Sequence, residues 1–519
     1  MVDSSRTHSS RDTPEGAGWD LETPGAYREL MPSRVEKLSW VNPRTLWPAR
    51  NGVLASWFGD PTGRTRSRWA GQRTAAGAPA DKVIRRNDPD RFSFMVIGDT
   101  GEGDAPQYAV VPGFLTAGRD TAFTVLASDV IYPVGATDDY GTKFFRPYRD
   151  YPAPVYAIPG NHDWYEDLNG FMRVFCDAPP LPAEPAPRPL TPAWLRSLLW
   201  HRPSPVDEQR LAEAAKFRST PAQLAVQPGP YWAIDAGPVR VIGIDTGLLG
   251  TLDAEQGRWL REVSEGPVPK ILVTGSPLYV DGEHHPCPID GGGTVDDLVR
   301  DPERNFVAAI GGDIHNYQRY PVTVPGRASP TVRTIQYIVS GGGGAFMHAT
   351  HTIERVSVAG VTEDDFRCYP LRGDSLAFYS RIYGRRLHLR RFFTLTEAEA
   401  KAVIAERLGI RPTRAPGAPV RLTWRIRLVA GLLGTARRPG RTRRVRLPVR
   451  KAYTQLFSPG SATYSPPFFK SFLRLDVSPE EIRLRCFAAT GQLRQELDPP
   501  VEDEVVIPLI RPTDTIDEA

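Results

Sequence analysis

The sequence predicts an α/β protein. Short apolar runs of strand length recur from Phe92 onward, helical patterns follow several of them, and a residue of metal-binding type closes nearly every run. The runs are 92–98, 122–128, 154–158, 239–244, 270–274, 306–310 and 334–339. After the fourth, Leu252, Trp259, Leu260 and Val263 fall on one face of a helix spanning 254–263. Alternation of this kind is the pattern of buried strands in α/β sheets. In such sheets functional groups gather beyond the carboxyl ends of the strands. Asp99 follows the first run, Asp129 the second, Asn161 to Asp163 the third, Asp245 the fourth, Ser276 the fifth, and Asp313 with His315 the sixth.

Around this core, 91–352, the chain divides by texture. Residues 1–90 carry Trp40, Trp47, Trp57, Phe58 and Trp69 among Arg, Pro and Gly, and read as an irregular N-terminal extension, its first 20 residues disordered. A Pro-rich stretch, 178–194, reads as a surface excursion. Residues 353–465 read as a basic inserted or appended unit with a helix over 397–408, where Thr396 and Glu399 form a capping box and Gly409 ends it. Residues 466–500 alternate like a strand pair returning to the core, and 501–519 read as a tail.

Composition excludes several classes. With 519 residues, 40% hydrophobic and 24% charged, the chain is globular and long enough for several structural units. A net charge of +4 is too small for global charge to argue for nucleic acid. Four widely spaced cysteines make a thiolate zinc site or disulfide scaffold an unsuitable reading. Residues 1–18 lack a signal-type apolar stretch and no window reaches the roughly 18 apolar residues of a span, so a cytoplasmic protein is expected.

The chemistry lies in the strand-exit residues. Carboxylates, a phenol, an amide oxygen and imidazoles suit iron, manganese, zinc or magnesium. Singly, Asp99, Asp129 and Tyr132 are equally well a cap, a turn former and a half-buried aromatic. Asn161, His162 and Asp163 are different, because three polar groups behind a buried strand are costly unless they bind something.

The strings Gly98-Asp99-Thr100-Gly101, Ser128-Asp129-Val130-Ile131-Tyr132, Gly160-Asn161-His162-Asp163 and Gly312-Asp313-Ile314-His315, in that order, resemble the calcineurin-like metallophosphoesterase superfamily. Gly-Asp-x-Gly paired with Asp-x-x-Tyr is most similar to its purple acid phosphatase branch. The resemblance spans about Phe92 to Phe346. It implies a four-layer α/β/β/α sandwich of two mixed sheets, here with an N-terminal extension and a C-terminal insertion. It implies one or two metal ions, iron and manganese first, zinc and magnesium next. It further implies phosphoester hydrolysis by a metal-bound hydroxide, monoester or diester. Asp99, Tyr132 and His315 would bind the first metal, Asp129 would bridge, and Asn161 would bind the second. His162, oriented by Asp163, would stabilise the transition state or protonate the leaving oxygen.

At the second metal the sequence departs from the family. Ser276 and Asp313 stand where imidazoles are usual, which favours harder ions there, with Asp313 as ligand and His284 or His285 as accessory donors or simply polar loop residues. His348 and His351, just beyond the Gly341 to Gly344 run, either reach substrate or cap the loop. The Gly run lacks a following Lys-Ser or Lys-Thr, so Walker-type nucleotide binding is excluded. From 421 to 451 nine arginines from Arg425 to Arg450 occur without an acidic residue, beside Trp424, Leu428 and Leu432. This segment is expected either to be a solvated basic face or to meet a phosphorylated substrate or an anionic membrane surface, the latter placing the protein peripherally at the membrane, with nucleic acid ranked lower. The rival reading is a degenerate, non-catalytic binding protein of the same fold, supported by Ser276 and Asp313.

Overall fold

The computed structural model describes residues 19, 23–33, 47–183, 187–327, 331–411, 419–435, 447, 449 and 466–509. The first 18 residues and most of the arginine run, Arg437 to Arg450, lie outside the described residues, as does the membrane contact expected of that run. The first strands are β1 (Val83–Arg85), β2 (Phe92–Ile97), β3 (Phe123–Ala127), β4 (Val155–Ile158), β5 (Trp232–Ala236), β6 (Val239–Ile244) and β7 (Lys270–Thr274). A small hairpin, β8 (Tyr279–Val280) and β9 (Glu283–His284), precedes β10 (Phe306–Gly311), β11 (Tyr317–Pro325) and β12 (Val332–Ser340). A second hairpin, β13 (Ser357–Val358) and β14 (Val361–Thr362), precedes β15 (Arg367–Tyr369), β16 (Lys470–Val477), β17 (Glu481–Ala489) and β18 (Val501–Pro508).

Two mixed sheets result. One has eight strands in the order β1-β5-β6-β7-β10-β12-β11-β15, the other six in the order β18-β17-β16-β2-β3-β4. Side-chain alternation along each strand builds the layers. Phe94, Val96 and Val125 of the six-stranded sheet meet Val241, Ile271, Val273 and Ile310 of the eight-stranded one in a shared core. The opposite faces carry Met95, Ile97 and Leu126, packed with Val110 and Phe114 of the helix Ala105–Ala117. On the other side Ile242, Ile244 and Leu272 pack with Trp259 and Leu260 of the helix Ala254–Val263. Burial on both faces explains why these strands read as continuous apolar runs, and each fully buried aliphatic or aromatic side chain contributes about 2 kcal/mol. This is the four-layer α/β/β/α arrangement.

The parallel strands β2, β3 and β4 and the parallel set β6, β7, β10 and β12 direct their carboxyl ends to the site described below. The C-terminal strand β16 pairs antiparallel with β2, matching Leu473 with Val96, so that distant sequence completes the six-stranded sheet. Residues 501–508, expected as tail, instead form β18 on the edge beside β17. Their charged pattern is that of an edge strand rather than of a buried run. The extension is not irregular beyond Trp47. It contains helices Asn51–Phe58 and Thr62–Ala75, and β1. The second helix is polar, and its inward face, Thr62, Arg66, Trp69 and Ala70, is fixed through the buried pair of Arg66 Nε with Asp245 Oδ2 at 2.7 Å. In the C-terminal unit, Thr396 Oγ1 accepts from Glu399 N–H and the Glu399 carboxylate from Thr396 N–H at the head of the helix Glu397–Leu408. The four cysteines are buried and form no disulfide. No helix of the described residues is long and apolar enough to cross a membrane.

Candidate metal centre

Residues leaving the strand ends adopt a costly backbone. Asp99, Ser128, Asp129 and Asp313 have φ of 57°, 77°, 35° and 63°, in the left-handed region where a non-glycine residue costs on the order of 1 kcal/mol or more. Of these residues at the exits of β2, β3 and β10, Asp99 and Asp129 turn their carboxylates toward one point.

That point is the Tyr132 hydroxyl. Its oxygen lies 3.0 Å from Asp99 Oδ1, 3.0 Å from Asp129 Oδ2 and 2.9 Å from His315 Nε2. His315 Nδ1 sits 2.7 Å from the Phe346 carbonyl, which can only accept, so Nδ1 carries the hydrogen and Nε2 presents a lone pair. Three acceptors therefore face a single phenol hydrogen. Asp99 Oδ2 is buried with no hydrogen-bond partner. Beside it a Cβ on Gly312 would stand 3.0 Å away and one on Gly341 2.5 Å away, so only glycine permits this close approach. Burial, reinforced by Asp129 and Asp313, pushes the Asp99 carboxyl well above the usual carboxylate range. Burial also drives the His315 imidazole well below its usual value, with His348 adding to the effect. Electron-rich atoms in excess of hydrogens, held in a dry site, call for a cation. The donor set of carboxylates, phenol and imidazole fits a hard or borderline metal ion. Among the described residues no group of three or more His, Cys, Asp and Glu forms a metal-holding cluster.

Around the centre the predicted residues divide. Asn161 Nδ2 donates to the Tyr165 hydroxyl at 3.0 Å. Asp313 donates its N–H to Asp99 Oδ1 at 3.1 Å, and its carboxylate is close enough to raise Asp99. His162 donates its backbone N–H to Asp129 Oδ1 at 2.9 Å, and its ring lies 4.4 Å from that of Tyr132. Its Nδ1 is held by the Pro133 carbonyl at 2.7 Å. The orienting role expected of Asp163 thus falls to Pro133, because Asp163 Oδ2 accepts from the backbone N–H of Val130 at 3.1 Å and of Gly160 at 3.0 Å, tying two strand-exit loops together. His348 joins the centre, its ring stacked on His315 at 4.3 Å and its Nδ1 accepting from His315 N–H. Ser276 Oγ meets Thr246 Oγ1 at 3.4 Å. His284 is committed elsewhere, with Nε2 2.7 Å from Asp296 Oδ2 and its ring stacked on Tyr279 at 4.6 Å. His285 is exposed and donates its backbone N–H to Leu278 O. His351 is buried within the C-terminal unit rather than at the centre.

Sequence reading passed over several supports. Lys143 Nζ donates to the Tyr132 carbonyl at 2.7 Å and to Asp139 at 2.8 Å. Lys470, brought in by β16, donates to the Ala345 carbonyl next to Phe346, whose carbonyl fixes His315. Beside it burial, with Asp104 adding, pushes Glu102 up to about 8, and burial pushes Lys470 down to about 8. The acidic pair following Gly101 was the available signal, but its burial depends on a strand more than 360 residues away.

Residues 92–317 match the family model of the calcineurin-like phosphoesterases, so this part of the chain is similar to that family. Similar solved structures include the purple acid phosphatase PPD1 from yellow lupin (Lupinus luteus) seeds, at 11% identity over 80% of this chain and 54% of that one, with a TM-score of 0.37. The chain spans about half the length of the lupin protein. Others are GAP50, the anchor in the inner membrane complex of Plasmodium (13% identity, 50% and 74% covered, TM-score 0.30), and TT1561 of Thermus thermophilus (13%, 48% and 89%, 0.26). At TM-scores below 0.5 these likenesses carry no argument about the branch. No curated protein matches the chain.

Proposed function

We propose that the chain is a metal-dependent phosphoester hydrolase. The observation that carries this reading is the single phenol hydrogen of Tyr132 shared among Asp99, Asp129 and His315. These four residues hold the first ion, of which iron, in the manner of the purple acid phosphatase branch, is the preferred identity. Asp129, Asn161 and Asp313 hold the second, where oxygen donors in place of imidazoles favour manganese or magnesium. Bound ions of this kind neutralise phosphoryl oxygens and acidify water.

The protein's own groups do the rest. The backbone of His162 fixes Asp129, and the Pro133 carbonyl holds the imidazole so that Nε2 can deliver a proton to the leaving oxygen. His348 keeps the His315 ring in place by stacking and by accepting its backbone N–H. Phosphorylated substrates and, through the arginine run, an anionic membrane surface are the partners this reading favours. A second reading, a non-catalytic binding protein, is favoured by Ser276 and Asp313 in place of imidazoles. Aryl phosphate hydrolysis with added iron or manganese, measured alongside Asp129→Ala and His162→Ala, separates them. Turnover lost in both variants supports the hydrolase, and no turnover with any metal in the intact chain rejects it.

A further inference from the structure

Two short helices beside the cleft carry an apolar face that no described residue covers. The helix Asn51–Phe58 buries Asn51, Leu54 and Ala55 on one side and turns Val53 and Trp57, four residues apart, outward. The helix Pro192–Leu199 buries none of its residues, yet carries Leu195, Leu198 and Leu199 on one exposed face. The two are joined into one surface. Arg196 Nη1 donates to the Phe58 carbonyl at 3.2 Å, and Arg50 Nε to the Leu199 carbonyl at 2.6 Å. The Arg50 guanidinium lies 4.3 Å over the Trp47 ring, and Trp47 is 65% exposed, Trp57 73% and Leu198 59%.

The two segments themselves carry only positive charge, with Asp60 and Asp207 just beyond their ends and Asp167 bonded to Trp200. Segments 47–59 and 187–206 contain Arg50, Arg188, Arg196 and Arg202 and no aspartate or glutamate. Tryptophan and leucine standing out from a helix pair, with arginines on their flanks, match the interface of a bilayer bearing anionic headgroups. There the indoles sit at headgroup depth, the leucines reach the acyl boundary and the guanidinium groups meet phosphate. An apolar protein partner would explain the exposed side chains but not the arginines set along both segments.

We infer that this helix pair docks the protein on an anionic lipid surface. The docking face adjoins the metal centre through Tyr165. Asn51 Nδ2 donates to the Tyr165 carbonyl at 3.4 Å, a Cβ on Gly52 would lie 3.4 Å from the Tyr165 hydroxyl, and that hydroxyl accepts from Asn161 Nδ2.

The test is flotation of the full chain with vesicles of phosphatidylcholine alone or with phosphatidylglycerol, at low and high salt, followed by Trp57→Ser with Leu198→Ser. Both positions are exposed, and an unchanged thermal melt shows that the variant folds. Binding selective for the anionic vesicles, weakened by salt and at least about tenfold weaker in the double variant, is the expected result. Absence of binding by the intact chain overturns the inference. So does equal binding to neutral vesicles, or binding the double variant retains, which would place the contact in the arginine run instead. A lipid-free dimer that the double variant dissolves would also overturn it, by making this face a contact between copies.

Discussion

Tyr132 Oη and His315 Nε2 meet at 2.9 Å although 183 residues separate them in sequence. Tyr132 follows β3 of one sheet and His315 follows β10 of the other, so the contact shows how the two face-packed sheets bring their carboxyl ends together. His315 Nε2 also lies 3.7 Å from Asp99 Oδ1. The cluster is stable only if something supplies positive charge, a proton or a metal ion.

Replacing Tyr132 by phenylalanine tests this directly. The ring contact with His162 is kept, but Asp99, Asp129 and His315 lose their shared hydrogen. Metal-free Tyr132→Phe is expected to unfold at lower denaturant, by about 1–3 kcal/mol, as buried acceptors are left unsatisfied. Metal affinity should fall about 10- to 100-fold, read by competition with a chelator. If the first ion is ferric, the phenolate band in the visible spectrum should vanish with the hydroxyl. Unchanged affinity and spectrum would remove Tyr132 from the ligand set.

Metal uptake should release a proton. Burial and two neighbouring carboxylates hold the Asp99 carboxyl protonated well above its usual range when no cation is present. A metal ion displaces that proton, and a phenolate ligand at Tyr132 gives up the phenol hydrogen as well, so affinity rises with pH. Calorimetric titrations in buffers of different ionisation enthalpy count the protons released. Heats independent of buffer would mean that Asp99 is already ionised.

The strand exits made most of this centre legible in the sequence, because a polar residue directly after a buried run has few structural reasons to be there. What the sequence hid was long-range pairing. β11 contains two prolines and several polar residues and is not among the apolar runs, yet it pairs with β12 and β15. Asp163 looked like an orienter of its neighbour His162, and only the backbone path shows it spending its carboxylate on Val130 and Gly160. His284 likewise offered a nitrogen for a metal, but Asp296 had already taken it, a partner 12 residues on that no motif marks.

Asp245, at the exit of β6, holds structure rather than metal. It accepts from Arg66 Nε at 2.7 Å and Trp164 Nε1 at 2.9 Å, and both Arg66 and Asp245 are buried. Arg66→Met should destabilise the protein by about 3–5 kcal/mol, since it strands a buried carboxylate. Adding Asp245→Asn should recover most of that loss, because an amide oxygen can still accept from Trp164 without carrying charge. Urea midpoints of the two variants decide this, and equal destabilisation in both would count against the charge argument.

The last expectation concerns acid. His351 Nε2–H donates to the Leu433 carbonyl at 2.9 Å, and its Nδ1 accepts from Ser375 Oγ at 2.9 Å, while that hydroxyl accepts from Thr350 N–H. The ring is therefore built into the fold as a neutral tautomer, joining the loop beyond the glycine run to the helix Trp424–Leu432. Burial lowers its pKa from 6.5 to about 4, with the Leu433 carbonyl opposing. A folded value below the unfolded one means the stabilisation is whole above pH 6.5 and drains away as pH falls toward 4, because the unfolded chain takes the proton first. The total is about 3 kcal/mol, of which about 2 kcal/mol is gone by pH 5. Urea midpoints at pH 7.5 and 5 should differ accordingly, and His351→Gln, which keeps a donor for Leu433, should flatten that difference while lowering stability at neutral pH. If the variant and the native chain lose stability equally on acidification, the sensitivity belongs to another group.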